Sequence, residues 1–417
     1  MNNDLVTLVE SFDLRHLSDA FYDDPFPTYR ALRELDPVRR MPDGSIFLTR
    51  YDDVIAVYKD PKTFSSDKHE EFAPKYGAAS PLFEHHTTSL VFNDPPLHTR
   101  VRRLIAGALT PKHIAAMEEG LVHLVDNLLD AIEVRAKSGE TIDLIESFAG
   151  AIPVEIIGNL LGVPHDERGP MRAWSLAILG ALEPVLTPAQ QSSGDDAVTE
   201  MLDYLEGLVA RRAKAPGDPE TDVLTRLIQG EVIGADGAHE KLLAKELLHN
   251  CIFLLNAGHE TTTNLIGNGL KSLLDAPAQK ARLTAEPELI RFAIEEFLRI
   301  ESSNQLGNRI TTVECEIAGV PLAKRTRVTL CIGAANRDPA HFPEPDTLDI
   351  SRSPNRHVAF GSGIHQCVGM GLGRLEAKVA IGRFLARFPN YRLAAAAVRS
   401  RRVRFRGHVT LPCAVLG

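Results

Sequence analysis

The sequence predicts a mainly α-helical protein with a small β part, folded as one domain over residues 1–417. Helical periodicity covers most of the chain, strand-like stretches are few and short, and neither a repeat nor a linker divides the sequence. Hydrophobic residues make up 44% and charged residues 24% of the 417 residues. That balance is typical of a globular protein with a large core.

The predicted helices rest on apolar residues that recur every three to four positions. In residues 113–136 this stripe contains Ile114, Met117, Leu121, Leu124, Val125, Leu128 and Leu129. The same pattern predicts helices over residues 199–214, 245–275, 287–300 and 370–388.

The predicted strands are residues 44–49, 310–317 and 326–332, together with the arginine-rich tail 399–406. We interpret the arginines of that tail as the polar face of a strand. Residues 336–360 are rich in Pro and Asp and lack periodicity, which favours a fixed, functional meander over a disordered loop.

Charge and cysteine content exclude several classes of protein. The net charge of −9 argues against nucleic-acid binding, because phosphate recognition needs clustered positive charge. Five scattered cysteines do not form a disulfide framework. The first ten residues lack the pattern of a signal peptide, and no stretch of about 20 apolar residues could span a membrane. We therefore expect a soluble, cytoplasmic protein.

The stretch Phe360-Gly-Ser-Gly-Ile-His-Gln-Cys367-Val-Gly369 carries the strongest functional signal. It places one thiol just before a predicted helix, where free backbone N–H groups and the helix dipole should lower the thiol pKa. A single thiolate without a second cysteine nearby is a poor zinc or iron–sulfur site but suits an axial position on haem. The other four cysteines, Cys251, Cys315, Cys331 and Cys413, have no such context.

This stretch resembles the haem-binding loop of the cytochrome P-450 family, Phe-x-x-Gly-x-(His/Arg)-x-Cys-x-Gly, with every fixed position filled. The resemblance extends over nearly the whole chain and implies the triangular haem-thiolate fold. It implies that Cys367 ligates the iron of haem b, that Phe360 contacts the haem, and that the protein is a monooxygenase using O2.

A second stretch, residues 254–263, lies in the middle of the predicted helix 245–275. Its three threonines and one glycine should weaken the helix there. Ala257 and Gly258 leave a small-residue face on which a flat cofactor or a gas molecule could rest. The stretch resembles the family's oxygen-activating helix, which implies that Thr261 is the alcohol beside the oxygen-binding position and Glu260 the acid that relays protons.

The haem propionates need donors or cations around them. The resemblance assigns this role to His98 and Arg102, four residues apart after Asp94-Pro-Pro, and to Arg309 and His365.

Glu296 and Arg299 lie one helical turn apart, a spacing that is usually a surface ion pair. Because Asn336-Arg-Asp-Pro339 follows later in the chain, they resemble the family's Glu-x-x-Arg pair, whose role is structural.

The segment after Arg299 departs from the family pattern: Ser302-Ser-Asn-Gln305 replaces a segment like Ser-Pro-Val-Gln. The resemblance places Ser303 and Asn304 beside the haem, and Asn304 adds a donor and an acceptor there. This suggests an oxygen function on the substrate, as in a small hydroxylated or carboxylated aromatic. The alternative is that Asn304 bonds to backbone or water.

The substrate entrance is expected in the loop 68–91 and, by resemblance, in residues 177–190. His85 and His86 lie in the first of these segments. Two adjacent histidines without a third ligand are weak evidence for a metal site.

A chain without a flavin domain must receive its electrons from elsewhere. The resemblance implies a ferredoxin with an NAD(P)H-dependent reductase, and Arg100, Arg103, Arg374 and Lys378 could dock such an acidic partner or simply form a solvated face. Two other functions remain open: a peroxide-driven haem-thiolate enzyme, which would not need the Glu260–Thr261 relay, and a non-catalytic haem-binding sensor.

Overall fold

The computed structural model describes residues 3–233 and 239–416, within which the chain forms eighteen α-helices. Their bounds are α1 Asn3–Glu10, α2 Asp19–Asp23, α3 Phe26–Leu35, α4 Tyr51–Lys59, α5 His69–Tyr76, α6 Pro81–Thr88, α7 Leu97–Ala108, α8 Pro111–Ala116, α9 Glu118–Lys137, α10 Ala151–Leu161, α11 Met171–Gly180, α12 Pro188–Lys214, α13 Val223–Gln229, α14 Ala244–Asp275, α15 Pro277–Ala285, α16 Ile290–Ile300, α17 Ile332–Ala335 and α18 Met370–Arg387. Among the described residues, no helix has the length and apolar character needed to cross a membrane.

The strands are short and pair into small sheets. They are β1 Val38–Arg40, β2 Ile46–Leu48, β3 Phe64–Ser65, β4 Ile142–Asp143, β5 Val232–Ile233, β6 His239–Glu240, β7 Leu306–Thr311, β8 Cys315–Ile317, β9 Val320–Leu322, β10 Arg327–Cys331, β11 Arg392–Leu393, β12 Val398–Arg399, β13 His408–Thr410 and β14 Pro412–Ala414. The largest sheet has the order β1-β2-β10-β7-β3, and β10 pairs with β7 so that Val328 faces Arg309. This pairing sets the position of Arg309 beside the site described below.

The long helix α14 runs through the interior and confirms the helix predicted over 245–275. The helix is continuous through the threonine run, and its expected weakening there stays a prediction. The hydroxyls of Thr261 and Thr263 donate to the carbonyl oxygens of Ala257 and His259 at 2.8 and 2.9 Å. Such bonds to the preceding turn satisfy the hydroxyls inside the helix but slightly destabilise it.

Two other helical predictions need correction. Residues 113–136 form two helices rather than one, since α8 ends at Ala116 and α9 begins at Glu118, and only the second keeps a buried stripe. The expected loop over 68–91 is mostly helical, because α5 and α6 lie within it and Ser80 caps α6 with its side chain.

The remaining helical predictions are confirmed with shifted starts. Residues 199–214 are the second half of α12, residues 287–300 form a 3-10 turn followed by α16, and residues 370–388 form α18. The strands predicted over 44–49 and 326–332 correspond to β2 and β10, whereas 310–317 contains the end of β7 and all of β8.

The arginine-rich tail is not the polar face of a strand. Only Val398–Arg399 is strand, and Arg402 and Arg406 turn inward onto buried carboxylates, whereas Arg401 stays exposed and pairs with Asp19. Arg399 and Arg406 both pair with Glu301, and Arg406 Nε lies 2.8 Å from a Glu301 carboxylate oxygen. Burial raises the pKa of Glu301, but the surrounding arginines outweigh it and hold that pKa well below its usual range. The tail therefore fastens the chain end to the core.

Candidate functional site

The cysteine loop is a tight turn between the meander 336–360 and α18. Cys367 N donates to the Phe360 carbonyl at 2.9 Å, and Gly363–His365 forms one 3-10 turn. Gly363 has φ +69°, and a Cβ there would lie 2.1 Å from the Tyr58 carbonyl oxygen, so only glycine fits. The turn presents the Cys367 side chain to the cavity described next.

A cavity of about 340 Å³ lies between this loop and α14. Cys367, Phe360 and Leu372 line one wall, and Ala257 and Thr261 line the opposite wall. The loop and the helix therefore bring a thiol and a hydroxyl to opposite sides of one space.

Gly258 also lines the cavity, but it does not leave an open face. A Cβ there would lie 2.4 Å from Cδ1 of Ile157, so the Ile157 side chain on α10 occupies the space that the glycine leaves.

The electrostatics of Cys367 differ from the sequence-based expectation. Burial raises the pKa of the Cys367 thiol and outweighs the Gly369 N–H group and the nearby Arg102 and Arg374, which lower it. The loop does not by itself hold a thiolate. We expect a bound metal ion to supply the positive charge that removes the proton.

The four residues expected to hold the propionates lie together at one edge of the cavity. Arg102, Arg309 and His365 line it, and the His98 ring packs on the His365 ring with centroids 4.2 Å apart. Arg102 Nη2 donates to the Gln366 carbonyl at 2.6 Å. Burial and the neighbouring arginines lower the pKa of His98 to about 4 and that of His365 to about 2, so both rings are neutral donors at pH 7.

This edge fits a cofactor that carries two carboxylates. The buried His365 Nε2 and both His98 ring nitrogens lack a hydrogen-bond partner of normal geometry among the described residues. Within the same part of the chain, neither Arg102 nor Arg309 forms an ion pair with a carboxylate. Unpaired donors and cations in a buried position need an anion from outside the chain.

On the opposite wall, Thr261 and Glu260 point in different directions. Thr261 lines the cavity, whereas Glu260 does not and is only 6% exposed. Arg402 Nη1 donates to both carboxylate oxygens of Glu260 at 2.7 Å. Burial raises the pKa of Glu260 to about 7, against the opposing effect of Arg402. The sequence analysis did not assign Arg402 to the site. The high arginine content of the tail could have indicated that some of these side chains pair with buried acids.

Comparison with known proteins identifies the architecture. The family model for cytochrome P450 matches residues 37–390. The chain belongs to the cytochrome P450 family. It is therefore a monooxygenase that uses haem b and O2, with electrons drawn from NAD(P)H through redox partners.

Individual P450s are similar over nearly the full length. The chain is 37% identical to the vitamin D(3) 25-hydroxylase of Pseudonocardia autotrophica over 392 residues, 93% of this chain and 92% of that protein. CYP109E1 from Bacillus megaterium in complex with testosterone has a TM-score of 0.84 at 30% identity, covering 96% of this chain and 100% of that one. P450BioI in complex with a hexadec-9Z-enoic acid ligated acyl carrier protein has a TM-score of 0.87 at 31% identity, covering 95% and 100%.

In this P450, Ser303 and Asn304 line the cavity as expected. The Asn304 backbone bridges to Phe405, while Ser303 Oγ and Asn304 Oδ1 are buried without a hydrogen-bond partner among the described residues. Asn256, which sequence reasoning missed, lines the same cavity with both amide atoms unpartnered. The cavity wall therefore holds several unused polar groups.

His85 and His86 also line the cavity of this P450, and both are buried. Burial lowers the pKa of His86 to about 3 and keeps the ring neutral. In the described part of the chain, no three His, Cys, Asp or Glu side chains are placed to hold a metal ion. The pair is thus part of the cavity wall, and the entrance role expected of 68–91 stays a prediction.

Glu296 and Arg299 form a fully buried ion pair of 2.7 Å, with both side chains 0% exposed. Arg299 also donates to the carbonyl oxygens of Asn336, Pro345 and Thr347 in the meander. The pair lies behind the cysteine loop and does not line the cavity.

The four cations considered for docking differ in their surroundings. Arg100 pairs with Glu246, Arg374 with Glu295 and Lys378 with Glu118, whereas Arg103 is exposed. Ion pairing reduces the charge that the first three can offer to a partner.

Proposed function

We propose that residues 1–417 form one cytoplasmic monooxygenase domain that receives electrons from a ferredoxin and its reductase and oxidises an organic substrate bearing an oxygen function. The observation that carries this proposal is the cavity between Cys367 and Thr261, edged by cations that lack acidic partners. Such an arrangement suits a flat, doubly anionic cofactor with one face left for substrate.

Each group of residues has a separate proposed role. Haem, when bound, supplies the activation of O2, tuned by its thiolate ligand. Cys367 would be that ligand, and His98, Arg102, Arg309 and His365 would hold the propionates. The Thr261 hydroxyl would orient water on the distal side, and Glu260 would hold a proton for delivery.

The substrate's oxygen function is supported by the unpartnered atoms of Ser303, Asn304 and Asn256 in the cavity wall. A buried polar group without a partner costs about 1–3 kcal/mol, which a hydroxyl or carbonyl of the substrate would recover. Small hydroxylated or carboxylated aromatics satisfy this requirement. So do larger oxygenated lipids such as the testosterone bound by CYP109E1.

The first test is the absorption spectrum of the purified protein, reduced under carbon monoxide. A strongly red-shifted band is expected from cysteinate ligation, and Cys367→Ala should lose it. The ferric protein is then titrated with aromatic acids, phenols and steroids. The compounds that shift the ferric band identify the substrate class, and a red-shifted band that no oxygenated compound perturbs would remove the substrate proposal alone.

Asn304→Val tests the proposed polar contact. Affinity for an oxygenated ligand should fall by about tenfold, since one buried hydrogen bond contributes about 0.5–1.5 kcal/mol. Asn127→Ala, on the exposed face of α9, is the matched control and should leave binding unchanged. Equal affinities for the Asn304 variant and the control would contradict the contact.

A peroxide-driven enzyme is the second candidate, favoured by one observation: Glu260 lies outside the cavity lining and is held by Arg402. Product formation with hydrogen peroxide alone, faster than with a ferredoxin and its reductase, would support it.

A further inference from the structure

Arg404 differs from the other arginines of the tail 399–406 in its partners. The other four each pair with an acid: Arg399 and Arg406 with Glu301, Arg401 with Asp19, and Arg402 with Glu260. Among the described residues, no carboxylate forms an ion pair with the Arg404 guanidinium. Arg404 instead lines the cavity, together with Leu306 and Asn308 of β7.

Neutral oxygen atoms hold the Arg404 guanidinium in place. Nη1 donates to the Leu306 carbonyl at 2.9 Å, Nη2 to Asn308 Oδ1 at 2.8 Å, and Nε to the Leu182 carbonyl at 3.3 Å. A guanidinium carries five N–H donors in a rigid plane, so these three bonds fix its orientation and leave further donors for a ligand. Because the three acceptors carry no charge, the group is preorganised to bind a carboxylate from outside the chain.

Glu183 is close to Arg404 but binds the backbone of the tail. Its carboxylate accepts from Val403 N at 2.8 Å and from Arg404 N at 3.1 Å. Its two oxygen atoms are therefore committed to backbone N–H groups, and the guanidinium of Arg404 keeps its charge for another partner.

A lysine adds positive charge beside Arg404. Lys75 Nζ donates to the Glu183 carbonyl at 2.7 Å, which follows directly on the Leu182 carbonyl that Arg404 binds. Burial and then the charge of Arg404 lower the pKa of Lys75 to about 8, against Glu71 and Glu183. Lys75 therefore stays largely charged at pH 7, and the electrostatic potential near Arg404 favours an anion.

Arg404 acts on a different part of the cavity from the edge assigned to the propionates. Burial lowers the pKa of His86 on α6, and the charges of Lys75 and Arg404 add to that effect. At the propionate edge, burial likewise lowers the pKa of His365, and the groups that add to it are Arg309, His98, Arg102 and Lys68. Arg404 is thus available to a second anionic ligand beside the cofactor.

We propose that Arg404 is a specificity-determining residue that binds a carboxylate of the substrate, so that the substrate is an organic acid with an apolar body. The proposal rests on the proposed monooxygenase function and identifies the oxygen function of its substrate as a carboxylate. The apolar body follows from the remaining lining, in which leucines such as Leu179, Leu182 and Leu254 are prominent.

The experiment compares acids with their uncharged amides by calorimetric titration of the haem-loaded enzyme at neutral pH. The probes are octanoic acid against octanamide and 4-phenylbutanoic acid against 4-phenylbutanamide, which cover an aliphatic and an aromatic body. At least one acid should bind about ten- to a hundredfold more tightly than its amide, the size expected of hydrogen bonds to a charged group.

Arg404→Gln should abolish this preference and leave the affinity for the amide unchanged, whereas Arg404→Lys should keep part of the preference because it keeps the charge. Arg401→Gln is the matched control. Arg401 is exposed and pairs with Asp19 on the surface, so its variant should retain the preference for the acid.

Asn308→Asp tests the same charge without removing the arginine. The new carboxylate would take the place of the amide oxygen that Arg404 Nη2 already binds at 2.8 Å and would neutralise the guanidinium. The preference for the acid should be lost here too, even if Arg404→Gln fails to fold. Asn127→Asp adds the same charge on the exposed face of α9 and should change nothing.

Acids that bind no more tightly than their amides would overturn the inference, as would a preference that survives in Asn308→Asp or in a folded Arg404→Gln protein. Loss of haem from folded Arg404→Gln, measured as the ratio of haem to protein absorbance, would place Arg404 with the propionates and also overturn it. Failure of the proposed function is recognised separately. An acid that binds with this preference but is not oxidised with O2 and any electron donor would remove the monooxygenase role and leave the carboxylate contact standing.

Discussion

Two glutamate–arginine pairs flank the cavity and differ in how completely they are satisfied. The pair behind the cysteine loop, Glu296–Arg299, has both side chains 0% exposed. The pair beside α14, Glu260–Arg402, has side chains that are 7% and 21% exposed. The same two functional groups are fully enclosed in one place and partly exposed in the other.

The difference lies in the number of additional partners. The Glu296 carboxylate also accepts from Asp349 N at 3.0 Å, from Arg352 Nε and from Asn355 Nδ2. No single displacement frees it, because several bonds from the meander must break together. Among the described residues, Glu260 receives both of its side-chain hydrogen bonds from one nitrogen atom of Arg402. We therefore expect the loss of one partner to cost more stability at Glu296, where several bonds hold the carboxylate in place.

The largest effect is expected from breaking the saturated pair. Arg299→Leu leaves the Glu296 carboxylate buried without its main partner and removes three donors to the meander carbonyls. We expect a loss of about 3–5 kcal/mol in the free energy of unfolding and poor haem retention. Urea unfolding monitored by circular dichroism measures it. If the free energy of unfolding of Arg299→Leu lies within about 1 kcal/mol of that of the unmodified protein, the pair does not stabilise the meander.

An intermediate effect is expected at Glu376, a buried carboxyl on α18 with a threonine rather than an arginine beside it. Burial raises its pKa to about 8 from an ordinary value of 4.5, and a hydrogen bond with Thr262 opposes this only partly. The folded state keeps a proton that the unfolded state releases, so stability falls as pH rises through this window. Glu376→Gln should reduce the loss of unfolding free energy between pH 5 and pH 8 by about 1–3 kcal/mol. Unfolding free energies at pH 5 and pH 8, compared between the two proteins, measure it; parallel curves would contradict the expectation.

The smallest effect is expected for an exposed pair. Arg383 donates two hydrogen bonds to Asp126, and Nη2 lies 2.6 Å from Oδ2. Both side chains nevertheless face solvent. Arg383→Gln should change the unfolding free energy by no more than about 0.5 kcal/mol, because solvent screens such pairs. The same urea assay measures it, and a loss comparable to that of Arg299→Leu would show that burial is not what separates the pairs.

Prediction from the sequence worked where the signal was local. The cysteine loop and α14 follow from the spacing of glycines, apolar residues and one thiol within a few turns of chain. The expectation of a loop over 68–91 was wrong, because the segment contains α5 and α6, and Ser80 caps α6 although its apolar pattern is weak. The lowered thiol pKa expected for Cys367 was also wrong, since desolvation by the rest of the fold outweighs the local N–H groups.

By itself, the sequence determined the helical class, and it singled out the thiol and the cationic residues that the fold brings to one cavity. Only the tertiary structure decided the partner of Glu260, because Arg402 lies 142 residues away along the chain. It also decided that the tail turns inward rather than forming a strand face. Periodicity and turn chemistry act over a few residues, whereas the partner of a buried charge depends on which distant segments the fold brings together.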